Sequence, residues 1–311
     1  MVAGAAGAAL GPRTAVTSFW IADRAGGEVL GLDTGFAVVE RLPRRNPVRV
    51  APVPGRDALW LASASQGFAL GRHAVELIVD GQSRWSHVAG PVIDLDANLR
   101  SCVWVEWPVG EPARVFVAGE EGSLRRLDVE GRATSAALAA PDDSSDVAAG
   151  ELALVGREDG WVELWRTRHP PTRVAAALVA EQVGDVVPAP DAGWYVLDVA
   201  ARRLVRLEPD LAKRWAVDPT LSAASLTTSL DRSRVWIVDA NQPFVRRFGP
   251  GGSLEIVVND LPLSGFDRAA PTAAGGLVLV SPGAVLELGP FGTLLQSQGG
   301  FGFLTDVAEV R

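Results

Sequence analysis

Short apolar runs separated by Gly, Pro, Asp and Asn recur along the whole chain. The clearest is Val235-Trp236-Ile237-Val238-Asp239, followed by a polar turn at Ala240-Asn241-Gln242-Pro243 and a second run, Phe244-Val245-Arg246-Arg247-Phe248. Aromatic and β-branched residues between turn formers read as strand, tight turn, strand. The first run has counterparts at Phe19-Trp20-Ile21, Leu59-Trp60-Leu61, Val115-Phe116-Val117, Trp194-Tyr195-Val196 and Leu277-Val278-Leu279, with a weaker copy at Leu152-Ala153-Leu154-Val155. A second short strand follows each, anchored at Val29, Ala69, Leu124, Val162, Leu204, Val245 and Val285; the steps are 40, 55, 38, 42, 41 and 40 residues. No long stretch shows helical periodicity.

A period of about 40–45 residues with four short strands per repeat is the mark of a propeller blade, a small sheet that must stack on its neighbours to bury its faces. The pattern therefore predicts an all-β, seven-bladed β-propeller of four-stranded antiparallel blades, occupying residues 1–311 as one domain. Blade one, at 16–46, starts abruptly at its second strand. The missing inner strand is supplied by 302–311, whose Phe303-Leu304-Thr305-Asp306-Val307 is similar to the inner strand at Asp185-Val186-Val187. The C-terminal strand thus closes the ring and removes two exposed sheet edges; an open or six-bladed ring is the alternative. Blades two to seven are expected at about 47–90, 91–140, 141–182, 183–219, 220–261 and 262–300. In blade three either 92–96 or 102–107 is the inner strand. The second choice is preferred, making 86–101 a long excursion that accounts for the 55-residue step.

The stretch 235–249 resembles the repeats of NHL-type and related YVTN-type β-propellers: an aliphatic-aromatic-aliphatic strand, an Asp, a turn with Asn, then an Arg-bearing strand. Trp194-Tyr195-Val196-Leu197-Asp198 with Arg203-Leu204-Val205-Arg206-Leu207 follows the same pattern, and Phe19-Trp20-Ile21-Ala22-Asp23 matches its first half. Elsewhere Ser63, Gly119 or Ser281 stands near the Asp position. The resemblance implies the fold; propellers host many unrelated activities.

The apolar fraction, 48%, is ample for a core, and the net charge of −8 disfavours a surface that tracks phosphates, so no nucleic-acid partner is expected. One cysteine, Cys102, forbids an internal disulfide. Residues 1–10 lack basic residues and a strongly apolar run, so neither a signal peptide nor membrane insertion is expected and the protein reads as cytoplasmic, or periplasmic or secreted if a leader was removed.

Four Asp residues open predicted inner strands: Asp146, Asp185, Asp267 and Asp306. At the channel mouth they would form a cation or basic-ligand site; the alternative is capping of strand entries by their carboxylates. Asp23, Asp198 and Asp239 are expected to fasten their own turns. The metal-dependent lactonase propellers, as relatives by fold, imply a Glu, an Asn and an Asp converging from several inner strands on a divalent ion. Asp94, Asp96, Asn98 and Glu106 supply these types within one blade only. Trp165, Arg166, Arg168 and His169 sit in a basic, Pro-stiffened loop between third and outer strands and are candidates for contact with a protein partner. No nucleophile elbow or phosphate loop is present. The expected function is a non-catalytic protein–protein interaction scaffold without a cofactor; the alternative is a metal-dependent, lactonase-like hydrolase or small-ligand binder at the channel mouth, using a divalent cation such as Ca2+.

Overall fold

The computed structural model describes residues 17–64, 72–98, 101–119, 121–139, 151–219, 224–239, 241–263, 265–266 and 268–310. The chain opens with β1 (Phe19–Asp23), β2 (Glu28–Leu32) and β3 (Val38–Pro43). Six complete blades follow. They are β4 (Pro47–Pro52), β5 (Ala58–Ala64), β6 (His73–Val79) and β7 (Gln82–Ala89); β8 (Val92–Ala97), β9 (Ser101–Glu106), β10 (Arg114–Gly119) and β11 (Leu124–Leu127); β12 (Ala133–Leu138), β13 (Leu152–Arg157), β14 (Trp161–Arg166) and β15 (Thr172–Leu178). Then come β16 (Val183–Pro188), β17 (Trp194–Asp198), β18 (Arg203–Leu207) and β19 (Lys213–Val217); β20 (Ala224–Thr228), β21 (Val235–Asp239), β22 (Val245–Phe248) and β23 (Leu254–Val258); β24 (Arg268–Pro271), β25 (Leu277–Ser281), β26 (Ala284–Leu288) and β27 (Leu294–Gly299). The last strand, β28 (Leu304–Glu309), pairs antiparallel with β1, so blade one has the order β28-β1-β2-β3. Seven four-stranded antiparallel sheets result. The inner strands touch in a complete cycle, with β28 between β24 and β4. The fold is a seven-bladed β-propeller closed by its C-terminal strand.

Burial explains the sequence pattern. The second strands β1, β17, β21 and β25 are buried at every position because neighbouring blades cover both faces. Such strands read as continuous apolar runs rather than alternations. Outer strands such as β15 are largely exposed. Trp60, Trp104 and Trp236 are fully buried between blades, and the Arg247 guanidinium lies 5.1 Å from the Trp236 ring centre. Pairing registers place Tyr195, not Trp194, level with Trp20, Trp60 and Trp236: each of these four faces the inner-strand residue two past the bulge-side position described below.

Two sequence expectations are corrected. The third strand of blade two is β6; Gly67-Phe68-Ala69-Leu70 lie outside the described residues. In blade three the inner strand is β8, while 102–107 overlaps β9, the second strand. The reason is burial: β9 is covered at all six positions, whereas β8 alternates apolar residues with Asp94 and Asp96. The pair at Val115 and Leu124 is therefore third and outer strand. Third strands begin at Glu28, His73, Arg114, Trp161, Arg203, Val245 and Ala284, steps of 45, 41, 47, 42, 42 and 39 residues, so the apparent insertion disappears. Blade four likewise starts at β12, ahead of residue 141.

The turn aspartates behave as expected. Asp239 Oδ1 accepts the amides of Asn241 (2.8 Å) and Gln242 (3.1 Å). Asp198 accepts Ala201 N at 3.1 Å and pairs with Arg203 at 2.9 Å. Asp23 accepts Gly26 N at 2.8 Å and, across the closure, Gly302 N at 2.9 Å.

Removing β28 leaves blade one without its inner strand and exposes the edges of β1 and of the neighbouring inner strands. A chain ending at Gly302 is expected to lose the single cooperative thermal transition seen by circular dichroism. An unchanged, single transition would show that the closure is dispensable.

Candidate ligand site in the central channel

In five blades the inner strand carries a β-bulge near its start: Thr305, Val48, Ile93, Thr134 and Gly184 are each passed over in the pairing with the second strand. A bulge leaves one residue unpaired and re-aims the next. The residues that follow are Asp306, Arg49, Asp94, Ser135 and Asp185. By pairing register Ser225 and Arg268 hold the same level in the remaining two blades. One level of the channel is thus ringed by three carboxylates, two guanidiniums and two hydroxyls.

The carboxylates work across blades. Asp306 Oδ2 accepts the Val50 amide of the next blade at 2.9 Å, and Oδ1 its own neighbour Val307 N at 3.0 Å. Asp185 repeats both bonds, with Leu226 N at 2.8 Å and Val186 N at 2.9 Å. Asp94 accepts Ala136 N at 3.0 Å. Arg268 reaches across the channel to Asp94 (2.7 Å) and to Asp185 (3.6 Å). Arg49 donates to carbonyls at the bulges: Val48 (3.0 Å), Ile93 (3.1 Å) and Thr305 (3.2 Å). Each carbonyl belongs to a residue the ladder skips, so the guanidinium supplies a partner the sheet does not.

Burial raises the Asp185 carboxyl to about 6; the Arg268 charge opposes the rise and Asp94 adds to it. Asp306 is raised too, first by burial, with Arg49 and Arg268 opposing. Burial works against the Arg268 charge, yet Asp94, Asp185 and Asp306 together hold its proton more firmly than usual.

This ring divides the channel. Toward the face where loops enter the inner strands lies a chamber of about 320 Å3 lined by Arg49, Asp94, Thr134, Ser135, Asp185, Ser225 and Arg268, among others. Ser135 is only 2% exposed. Its hydroxyl and that of Thr134 make no hydrogen bond among the described residues. Toward the opposite face a space of about 180 Å3 is bounded by the charged ring and otherwise mostly by Ala, Val, Leu and Pro, with Asp96 and Glu309.

Of the four aspartates picked from the sequence, Asp185 and Asp306 stand at equivalent positions on the channel, three residues into their strands rather than at the entries. Asp146 and Asp267 lie outside the described residues. Blade four enters its inner strand at Ala133, so Asp146 falls between β12 and β13 rather than at an inner-strand entry. Asp94, read as part of a local cluster, is the third carboxylate. Arg49, Arg268 and Ser135 went unrecognised; the signal was their shared register with Asp185, visible only with the inner strands of blades three and four correctly placed. Among the described residues no group of three or more His, Cys, Asp or Glu is placed to hold a metal ion.

The basic loop stands apart. Trp165 is 6% exposed, packed in the core between blades three and four, with its indole N–H donated to Glu163 at 3.0 Å. It is a packing residue and not a contact surface, which corrects the sequence expectation. Arg166, Arg168 and His169 are exposed.

No protein-family model and no curated protein matches the sequence. Solved structures do match the fold. A functionally unknown protein from Desulfotomaculum acetoxidans aligns with a TM-score of 0.73 at 13% identity, covering 95% of this chain and 99% of that one. The periplasmic gluconolactonase of Pseudomonas aeruginosa aligns at 0.67 and 16% identity, over 94% and 99%. Apo AztD from Citrobacter koseri aligns at 0.66 and 10% identity, over 94% and 97%. At these identities the likeness is one of fold. No helix among the described residues is long and apolar enough to cross a membrane.

Two outcomes follow from the ring. Replacing Arg268 by Met leaves Asp94 and Asp185 without their shared cation. Breaking a buried pair from one side typically costs about 3–5 kcal/mol, so Arg268→Met should lower stability in urea denaturation by that order, more at pH 8 than at pH 5, where Asp185 can take up a proton. A loss below about 1 kcal/mol at both pH values would show the pairing to be incidental. Second, the folded chain holds a proton on Asp185 that the unfolded chain releases near pH 4. This contribution is complete below that value and is lost as pH climbs from about 4 to about 6. The unfolding free energy of the wild type minus that of Asp185→Asn should therefore fall across this window and level off above it; a flat difference would contradict the assignment.

Proposed function

We propose that this propeller binds a small, uncharged, multiply hydroxylated molecule in the chamber on the loop-entry side of the ring, without transforming it. The observation that carries the reading is the buried Ser135 hydroxyl, left without a partner beside a charged ring that is already satisfied. A buried hydroxyl of this kind is satisfied by a water or by a ligand that displaces it. The ring offers an ion little, because its carboxylates accept backbone amides and Arg268 already bridges two of them. What remains are donor and acceptor positions of both kinds on one wall, which suit hydroxyl groups that donate and accept at once. Hydrolysis of a bound lactone is the second reading. It is favoured by the Asp185 carboxyl, whose raised value of about 6 suits a general base, and one similar structure is named a gluconolactonase. Against it, both Asp185 oxygens already hold backbone amides.

Thermal unfolding with glucose, gluconate and glucono-δ-lactone tests the proposal. A neutral polyol at a hundred times its Kd adds about 2.7 kcal/mol of stability, and Ser135→Val should abolish that gain while folding normally. A gain with Ca2+ alone, or none with any polyol, would overturn the reading. Turnover of the lactone that disappears in Asp185→Asn would favour the hydrolase.

A further inference from the structure

The ring in the channel has its carboxylates hydrogen-bonded, but its charges do not balance. Asp94, Asp185 and Asp306 share one level with Arg49 and Arg268, three carboxylates against two guanidiniums. Arg49 opposes the burial of Asp306 and holds the carbonyls released by the bulges. Arg268 serves two carboxylates unequally, 2.7 Å from Asp94 but 3.6 Å from Asp185. Asp185, 5% exposed, thus has the weaker share of this cation.

The surroundings of Asp185 do not make up the difference. The neighbouring inner strands β12 and β20 carry no charged residue and bring the hydroxyls of Thr134, Ser135 and Ser225 to the chamber. Behind it, Arg157 on β13 is engaged by Asp159 and Glu163, and Asp198 on β17 by Arg203. Tyr195 on β17 lies against Arg206. Across the channel β8 adds Asp94 and Asp96, and β28 adds Asp306 and Glu309, all acidic. A metal ion would need several carboxylate oxygens at once, yet both Asp185 oxygens already accept amides, Oδ1 from Val186 and Oδ2 from Leu226. A proton needs one oxygen and almost no room.

We infer that Asp185 is a one-proton switch in the chamber wall: in mild acid it is neutralised, lets go of Arg268 and slackens the bond between blades five and six, so that a bound polyol is released. Only the release step rests on the polyol-binding reading. The incoming proton displaces the Val186 N–H at Oδ1 or the Leu226 N–H at Oδ2. In either place the carboxylate loses its charge, and Arg268 keeps Asp94 alone. The Leu226 bond also stops being charge-assisted, which about halves its strength. Leu226 follows Ser225, and Ser225, Asp185 and Arg268 all line the chamber, so the binding wall loosens with the switch. Burial, which raises the Asp185 carboxyl to about 6, sets the range in which this happens.

Nuclear magnetic resonance of the unliganded full chain between pH 5 and pH 8 tests the switch apart from any ligand. The Leu226 amide signal should move with a single midpoint near 6, and the Arg268 Nε–H signal should follow the same curve. Asp185→Asn should abolish both changes. Arg268→Met should carry the Leu226 midpoint to higher pH, because the guanidinium favours the charged carboxylate. Arg268→Lys, which keeps the charge if the Met variant does not fold, should hold the midpoint near that of the wild type. A Leu226 signal that stays flat, or a midpoint unchanged in Asp185→Asn, overturns the switch. With glucose as the probe, calorimetry should show affinity falling about tenfold from pH 7 to pH 5, and weak, pH-independent binding to Asp185→Asn. Equal glucose affinity at both pH values, beside a titrating Leu226 signal, overturns the release step. No glucose binding at either pH, beside the same titration, refutes the polyol reading and the release step together and upholds the switch.

Discussion

The carboxylate of Asp306 accepts the amide of Val50, a residue 256 positions earlier in the chain. The same bond recurs between Asp94 and Ala136, 42 residues apart, and between Asp185 and Leu226, 41 apart. Two of these bonds are the repeat reading itself out in space: a side chain of one inner strand holds the backbone of the next. The third joins the end of the chain to its beginning. A blade of four short strands cannot bury both faces alone, so everything else in the molecule depends on neighbouring blades being held in a closed circle. The carboxylates provide that link where the blades converge and where little apolar surface is available to do it.

Holding blades together with buried carboxylates has a cost, because the charged form is disfavoured away from water. The raised value of Asp185 expresses that cost, and Arg268 offsets it; at Asp306 Arg49 and Arg268 do the same. Arg49 does more, since it binds carbonyls that the bulges release. The bulges, the aspartates and the arginines therefore form one device. Bulges turn the residues inward, aspartates tie the blades together, and arginines neutralise both the carboxylates and the carbonyls. Ion pairs of this kind add little stability compared with an apolar replacement, yet removing one member leaves uncompensated charge.

How much of this was legible in the sequence depended on whether a residue's neighbours were local. The blade count and the closing strand could be read because both rest on apolar runs whose burial is set by the repeat. Asp23, Asp198 and Asp239 could be read because their partners lie within a few residues. Blade three was misread because β9 is apolar and covered at every position, so its run stood out more strongly than that of the inner strand. The inner strand faces a polar channel, so β8 alternates and carries Asp94 and Asp96. The misplacements in blades three and four hid Asp94 and Ser135, which align with Asp185 only when inner strands are matched to inner strands. Arg268 was beyond reach for a different reason: its partner Asp94 lies 174 residues away, and nothing local marks an arginine that crosses a channel. Trp165 was misjudged because the loop that follows it is exposed, whereas its own ring packs between blades.

The division of labour between the centre and the rim follows from the same physics. At the centre every charged group of the ring is engaged in holding the blades, so what is left for a ligand is the uncharged remainder, the hydroxyls of Ser135 and Thr134. At the rim the backbone is the unsatisfied element, and charged side chains in six of the seven outer strands keep those edges from pairing.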